Sequence, residues 1–385
     1  MIHLFLNGSG ASAGGGLTYL RNVVPHLSAH GDVHTTVVAN LAVQRELESL
    51  PRISFVEFDI AASAATRFWQ EQRRLPELIR QSGAQALISA GNFALRNSPV
   101  PQILLSRNSL YTSSDFSRDL LSRRDYALWA DTKIKAMLAK RSIAWANCTV
   151  APSRAFATEL NAWTGREIVT IYHGFDHDAF VRDPQPLPAE IQQKLYRTDD
   201  SLRLLFVSHY NYYRNFETLL RALPILQRKL NRSVQLFLTC KLRTEENPGS
   251  YKTDNAAALV RELGIAGNVV ELGTIPYELL HQVYQACDLY VTPAYAESFA
   301  HPLLEAMASA LPVVASDLPV HREICGDAAL FFDRFSPEKL ADAIVHAISG
   351  NLLAQMTVSG RARSQAFSWK RHVDELLQLA GSLIV

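Results

Sequence analysis

Short apolar, β-branched runs recur along the chain, separated by longer stretches whose apolar positions repeat every three or four residues. The first pattern suits a buried strand and the second an amphipathic helix. In the first half the strand runs fall at residues 2–6, 34–39, 53–58, 86–89, 102–105, 149–151 and 168–172. Helical periodicity fills the gaps, as at residues 17–29 and 65–81. A second series falls at residues 202–208, 234–239, 269–272, 289–292, 312–315 and 330–332. Such alternation predicts parallel sheets flanked by helices. Between the two series, residues 173–192 turn polar and carry Pro184, Pro186 and Pro188, which marks a linker. A chain of 385 residues also exceeds one ordinary core. The pattern therefore predicts an α/β protein of two Rossmann-like domains, residues 1–178 and 179–365, facing an inter-domain cleft. A C-terminal helix, residues 366–385, is expected to pack back on the first domain. Ligands of such sheets bind beyond the carboxyl ends of the strands.

Charge and cysteine content narrow the partners. Lysines and arginines number 38 against 37 aspartates and glutamates, so no global charge excess draws the chain to nucleic acid. The four cysteines, Cys148, Cys240, Cys287 and Cys325, are far apart beside apolar neighbours, as expected of buried free thiols in a reducing compartment. The apolar start is too short for a signal peptide, and no run approaches the ~20 residues that span a bilayer. A cytoplasmic protein is expected, with a peripheral place on the inner face of the membrane left open. Arg118, Arg123, Arg124, Lys133, Lys135, Lys140 and Arg141 are interleaved with Leu121, Tyr126, Trp129 and Ile134. That mixture suits either an anionic lipid surface or a helix packed on its own domain.

The densest candidate chemistry follows the strand run Leu289-Tyr-Val-Thr-Pro293. The loop carries Glu297, and a helix then starts near Pro302 with Leu303, Leu304, Met307 and Ala308 on one face. A helix N-terminus at the carboxyl end of a parallel strand is a ready anion site. Glu305, in the first turns, can accept hydrogen bonds from a pair of hydroxyls, and Glu297 lies close to whatever the helix end holds. Phosphate at the helix end and hydroxyls at the carboxylates are what a sugar nucleotide presents. The plainer alternative is that Glu305 complements the helix dipole and Glu297 is a solvated loop residue. Cationic candidates follow the strand at 202–208, namely His209 and Arg214. An arginine grips phosphate in a bidentate way, whereas a histidine's charge depends on pH.

A glycine-rich loop follows the first strand. Gly8-x-Gly10-x-x-Ala13 fits a dinucleotide fingerprint, but the second strand ends in Ala39-Asn40 without the acidic residue that would hold a ribose. Hydride transfer to a nicotinamide is thereby disfavoured.

Residues 268–333 resemble family 4 of the retaining glycosyltransferases, which have the GT-B fold. The resemblance is carried by Asn268-Val-Val-Glu-Leu-Gly273, Ala286-Cys-Asp-Leu-Tyr-Val-Thr-Pro293, Glu297-x7-Glu305, Ala306-Met307-Ala308, Pro312-Val-Val-Ala-Ser-Asp317 and Gly326-Asp327-Ala328. It implies transfer of an α-linked sugar (mannose, glucose-type or rhamnose-type) from a nucleotide-diphosphate sugar, without metal or other cofactor. It further implies a glycan or lipid-linked acceptor, as in bacterial cell-surface polysaccharide synthesis. Glu297 is then the residue that contacts the donor sugar, and Glu305 holds the ribose diol. Ser298, Phe299, Ala300 and His301 lie against the sugar and β-phosphate, and Gly15 and Gly16 over the phosphates. Arg214 and His209 fall where similar enzymes carry two diphosphate-gripping cations. Ser298 and Ala300 replace the usual glycines beside the phenylalanine. The family's acceptor-side histidine is replaced by the stretch holding Arg107 and Asn108. Another GT-B activity, such as an epimerase or phosphorylase, and a non-catalytic sugar-nucleotide sensor are the alternatives.

Overall fold

The computed structural model describes residues 2–11, 14–58, 63–180, 185–197, 200–247 and 251–384. Ser12 and Ala13 of the glycine-rich loop and Pro184 of the linker lie outside them. The chain forms two compact units. The first comprises Met1–Thr112, Arg124–Gly174 and Phe367–Val385, and the second Ser113–Arg123 and Phe175–Ala366.

The first unit holds a seven-stranded parallel sheet built from β1 (Ile2–Asn7), β2 (Val33–Val38), β3 (Ile53–Phe55), β4 (Ala86–Ser89), β5 (Gln102–Leu105), β6 (Cys148–Ala151) and β7 (Val169–Thr170). Their order is β3-β2-β1-β4-β5-β6-β7, so the winding reverses between β1 and β4. Leu4 and Leu6 of β1 are fully buried against Leu20, Val23, Val24 and Leu27 of helix Gly14–Ala29. Burial on both faces explains why β1, β4 and β5 read as nearly continuous apolar runs and not alternating ones. The C-terminal helix Trp369–Ile384 adds Val373, Leu376 and Ala380 to the same core. Its His372 donates from Nδ1 to the Tyr172 carbonyl at 2.8 Å and accepts at Nε2 from the Tyr19 hydroxyl at 2.9 Å. Gly174 makes the close approach possible, since a Cβ there would lie 2.0 Å from the Trp369 backbone nitrogen.

The second unit holds a six-stranded parallel sheet of β8 (Leu202–Phe206), β9 (Val234–Leu238), β10 (Val269–Glu271), β11 (Leu289–Thr292), β12 (Val313–Ser316) and β13 (Ala329–Phe332). The order is β10-β9-β8-β11-β12-β13, which places the reversal between β8 and β11. Among the described residues no helix is long and apolar enough to cross a membrane.

Three expectations change. The basic stretch at 118–141 is two helices, Ser114–Ser122 in the second unit and Tyr126–Trp145 in the first. Apolar periodicity cannot see the break, because it lies in a turn: Arg124 has a left-handed φ of 57°, and the Asp125 carboxylate accepts from the Leu128 N–H at 3.3 Å. The first helix therefore leaves the 1–178 segment. Second, the helix expected from residue 17 starts at Gly14, so Gly15 and Gly16 form its first turn and not a loop. First-turn N–H groups need no intrahelical partner, which leaves glycine less disfavoured there. Third, Cys148 is only half-buried, while Cys240, Cys287 and Cys325 are buried and all four are free.

Candidate functional site

The second unit brings its two central strands to a shared end. The loop after β8 carries His209 and Arg214, and the loop after β11 carries Glu297. Because β8 and β11 are neighbours at the winding reversal, these loops meet. The Tyr295 N–H donates to the Tyr213 carbonyl at 2.9 Å. Asn215 ties both loops to a third, donating from Nδ2 to the carbonyls of Pro293 at 3.2 Å and Arg334 at 2.6 Å.

Arg214 and Glu297 form an ion pair between Nη1 and Oε1, with both side chains largely buried. The carboxylate and the nearby tyrosines hold the guanidinium charged against the opposing effect of burial. Arg214 also presents its guanidinium to the Tyr213 ring at 5.1 Å. His209 is exposed, and partial desolvation and the Arg214 charge push its pKa down. Its charged form is therefore disfavoured in the free protein, which leaves Arg214 as the main cation.

Helix His301–Ala308 begins beside this pair. It has Pro302 in its first turn and no side chain capping its N-terminus. Ala300 adopts a left-handed backbone (φ 66°, ψ 63°), a conformation an alanine takes at a penalty of about 1–2 kcal/mol. The substitution of a usual glycine thus leaves the loop's shape in place, with strain. Ser298 is half-buried, and the rings of Phe299 and His301 lie 4.9 Å apart. Glu305 is only 5% exposed. Burial pushes its carboxyl up to about 7, and the Tyr284 hydroxyl, donating to Oε2 at 2.8 Å, opposes that rise.

The sequence reading missed the element that braces these loops. Helix Ser114–Ser122, drawn from the first half of the chain, packs on them. Asp119 accepts from the Tyr295 hydroxyl at 2.6 Å and from Arg123 Nε at 2.8 Å. Arg123 also donates to Glu217 at 2.9 Å and covers the Tyr212 ring at 4.3 Å. Asp115 takes both Arg334 bonds, at 2.6 and 2.9 Å, and the Phe116 ring lies 6.2 Å from that of Tyr213. The i, i+4 spacing of Asp115 and Asp119 was the only sequence signal, and it resembles any solvated helix face.

The remaining expected residues lie in the first unit. Arg107 is locked, donating from its backbone N–H to Asn92 Oδ1 at 2.7 Å and from Nη2 to the Ala90 carbonyl at 2.5 Å. Its guanidinium also covers the Tyr19 ring at 4.5 Å. Asn108 caps a turn by accepting from the Leu110 N–H at 3.0 Å. Both therefore brace loops at the carboxyl ends of β4 and β5. Gly15 has open space around it, and Gly16 packs on Ala11. A carboxylate unforeseen from sequence, Glu71, is buried near the end of β1, accepting from Ser9 Oγ at 2.6 Å and Asn7 Nδ2 at 3.4 Å. Among the described residues no group of three or more His, Cys, Asp or Glu side chains is placed to hold a metal ion.

Known proteins share both the pattern and the fold. The family description "Glycosyltransferase Family 4" matches residues 13–179, and "Glycosyl transferases group 1" matches residues 189–363. A D-inositol 3-phosphate glycosyltransferase of Corynebacterium diphtheriae is 30% identical over 183 residues, 46% of this chain and 42% of that protein. O-antigen chain mannosyltransferase B of Escherichia coli is 26% identical over 219 residues, 57% of this chain and 55% of that one. The matches thus span about half the length of these curated relatives. The structure of Anabaena Alr3699/HepE in complex with UDP-glucose superposes with a TM-score of 0.74 at 18% identity, covering 100% of each chain. With a family match over each half and two parallel-sheet units of the matching fold, the chain belongs to the family 4 glycosyltransferases of the GT-B class.

Proposed function

We propose that the chain transfers an α-linked sugar from a nucleotide diphosphate to a glycan or lipid-linked acceptor, with retention of configuration and without metal. The Arg214–Glu297 ion pair beside the uncapped N-terminus of helix His301–Ala308 carries this reading. An incoming diphosphate competes with Glu297 for Arg214 and lies against the positive end of the helix dipole. Glu297, released, turns to the sugar hydroxyls. As the sugar–phosphate bond breaks, charge grows on the leaving diphosphate, where Arg214 and the helix end stabilise it. Glu305 lies one helical turn further on and takes the ribose hydroxyls in this reading. The family resemblance and the mannosyltransferase relative support retention, a mannose, glucose-type or rhamnose-type donor and a role in bacterial cell-surface polysaccharide synthesis as parts of this proposal. The test is to incubate the protein with uridine, guanosine and deoxythymidine diphosphate sugars and candidate glycan acceptors, with and without EDTA. An α-linked product by NMR, formed equally with EDTA, is the expected result. A β-linked product, or loss of activity with EDTA, overturns the mechanism.

A peripheral place on the cytoplasmic membrane face belongs to the same proposal. Helix Tyr126–Trp145 exposes Tyr126, Ile134 and Met137 alongside Lys133, Lys140 and Arg141. Apolar and cationic side chains on one exposed surface suit anionic lipid. Flotation with anionic but not neutral liposomes is expected, and equal absence from both excludes it.

A further inference from the structure

His321 is a buried polar group tied to the loop that carries Glu297, and nothing in its sequence neighbourhood singles it out. It lies in helix Pro319–Cys325, directly after β12, and is fully buried. Its Nδ1 donates to the Ser316 carbonyl at 2.9 Å and lies 3.1 Å from Ser316 Oγ. Ser316 Oγ in turn donates to the carbonyl of Ala294, three residues before Glu297. The imidazole is thus fixed to the loop that carries the carboxylate. Glu297 and Arg214 both act on it electrostatically, and burial keeps it neutral.

With its proton on Nδ1, the ring presents a bare acceptor at Nε2. That atom is buried and has no hydrogen-bond partner among the described residues. The same is true of one donor of the ion pair, Arg214 Nε. Buried polar atoms are ordinarily satisfied, so an unmatched acceptor and an unmatched donor on side chains bound to the same loop call for partners of both kinds. A phosphate oxygen only accepts and cannot answer Nε2. A hydroxyl donates and accepts, and so answers both atoms.

We propose that His321, with Arg214 Nε and Glu297, recognises one hydroxyl of the transferred sugar and so helps to set which sugar is accepted. The inference rests on the nucleotide-sugar reading and extends it to a residue outside the family's carboxylate pair. Its consequence is a separation between sugar and nucleotide: His321 discriminates the sugar and leaves the diphosphate alone.

The experiment measures dissociation constants of His321→Leu and His321→Gln for the preferred nucleotide sugar and for the matching nucleotide diphosphate. Leucine removes the acceptor at similar volume, and glutamine carries a carbonyl oxygen toward the same place. The expected result for His321→Leu is roughly tenfold weaker binding of the nucleotide sugar, the loss of about one buried hydrogen bond, with the nucleotide diphosphate within twofold. His321→Gln should recover part of the loss. Deoxy analogues of the sugar should include one whose binding is weakened in the wild type but not further weakened by His321→Leu. Unchanged nucleotide-sugar binding in His321→Leu overturns the proposal and leaves a buried water as the partner. Equal loss for sugar and bare nucleotide also overturns it, since it shows a packing role. Failure of the wild type to bind any nucleotide sugar sinks the underlying reading instead, so the two failures are distinguishable.

Discussion

Glu305 and Arg214 show how burial turns ordinary side chains into a site. Glu305 was legible from sequence as a carboxylate near a helix N-terminus, but its depth was not. Burial raises its pKa to about 7, so near neutrality a good part of the population carries a proton that would weaken the proposed ribose contact. Nucleotide-sugar affinity is therefore expected to rise about tenfold per pH unit below pH 7 and to level off above it. Nucleotide sugars are used because their diphosphate does not titrate in that range. Glu305→Gln should bind more weakly and show a flat profile. A decline with rising pH would instead implicate protonated His209, whose pKa is pushed down by desolvation and by Arg214. The same shift makes the ligand-free fold less stable as pH rises from the ordinary carboxyl range through about 7. The folded state keeps the Glu305 proton after the unfolded state has lost it. The ion pair itself was not legible. Arg214 and Glu297 are 83 positions apart, and only the adjacency of β8 and β11 brings them together.

At the scale of elements, apolar runs located both sheets, because central strands buried on two faces, such as β1, β5 and β11, are mostly apolar. It failed where two helices abut. Helix Ser114–Ser122 and helix Tyr126–Trp145 both mix charged and apolar positions, and nothing in residues 113–123 states which unit they join. What decides is distant: Tyr295, Arg334 and Glu217 supply the partners of Asp119, Asp115 and Arg123. This helix braces the loops of Arg214 and Glu297 without being expected to touch a donor. Asp119→Ala would leave the Tyr295 hydroxyl and Arg123 Nε without their carboxylate. A stability loss of about 1–3 kcal/mol and a several-fold rise in donor KM are expected, with kcat changing less. Asp119→Glu should restore part of both. A stability loss with an unchanged KM would show that the helix supports the fold and not the site.

For the whole molecule, the connectivity is the main departure from a simple two-domain series. The chain passes between units after residues 112, 123, 174 and 366. The last passage returns helix Trp369–Ile384 to the first unit, where Val373, Leu376 and Ala380 complete the core around Leu4 and Leu6. Removing residues 367–385 would expose that face. Two large apolar side chains at about 1.5–3 kcal/mol each are a large part of a typical stability. The truncated chain is expected to lose the cooperative melting of the first unit, read by hydrogen exchange of β1 and β4. Native-like protection there would contradict the packing account.

A nucleotide-sugar site built on Arg214 and Glu297 at the β8–β11 junction must lose its donor when the arginine is removed. Calorimetric titration of the wild type and Arg214→Ala with a panel of nucleotide sugars and nucleotide diphosphates tests it most directly. The wild type is expected to bind at least one nucleotide sugar, and Arg214→Ala to lose at least tenfold in affinity for both that sugar nucleotide and its nucleotide diphosphate. Unchanged affinity in folded Arg214→Ala, or a wild type that binds none of the panel, would contradict it.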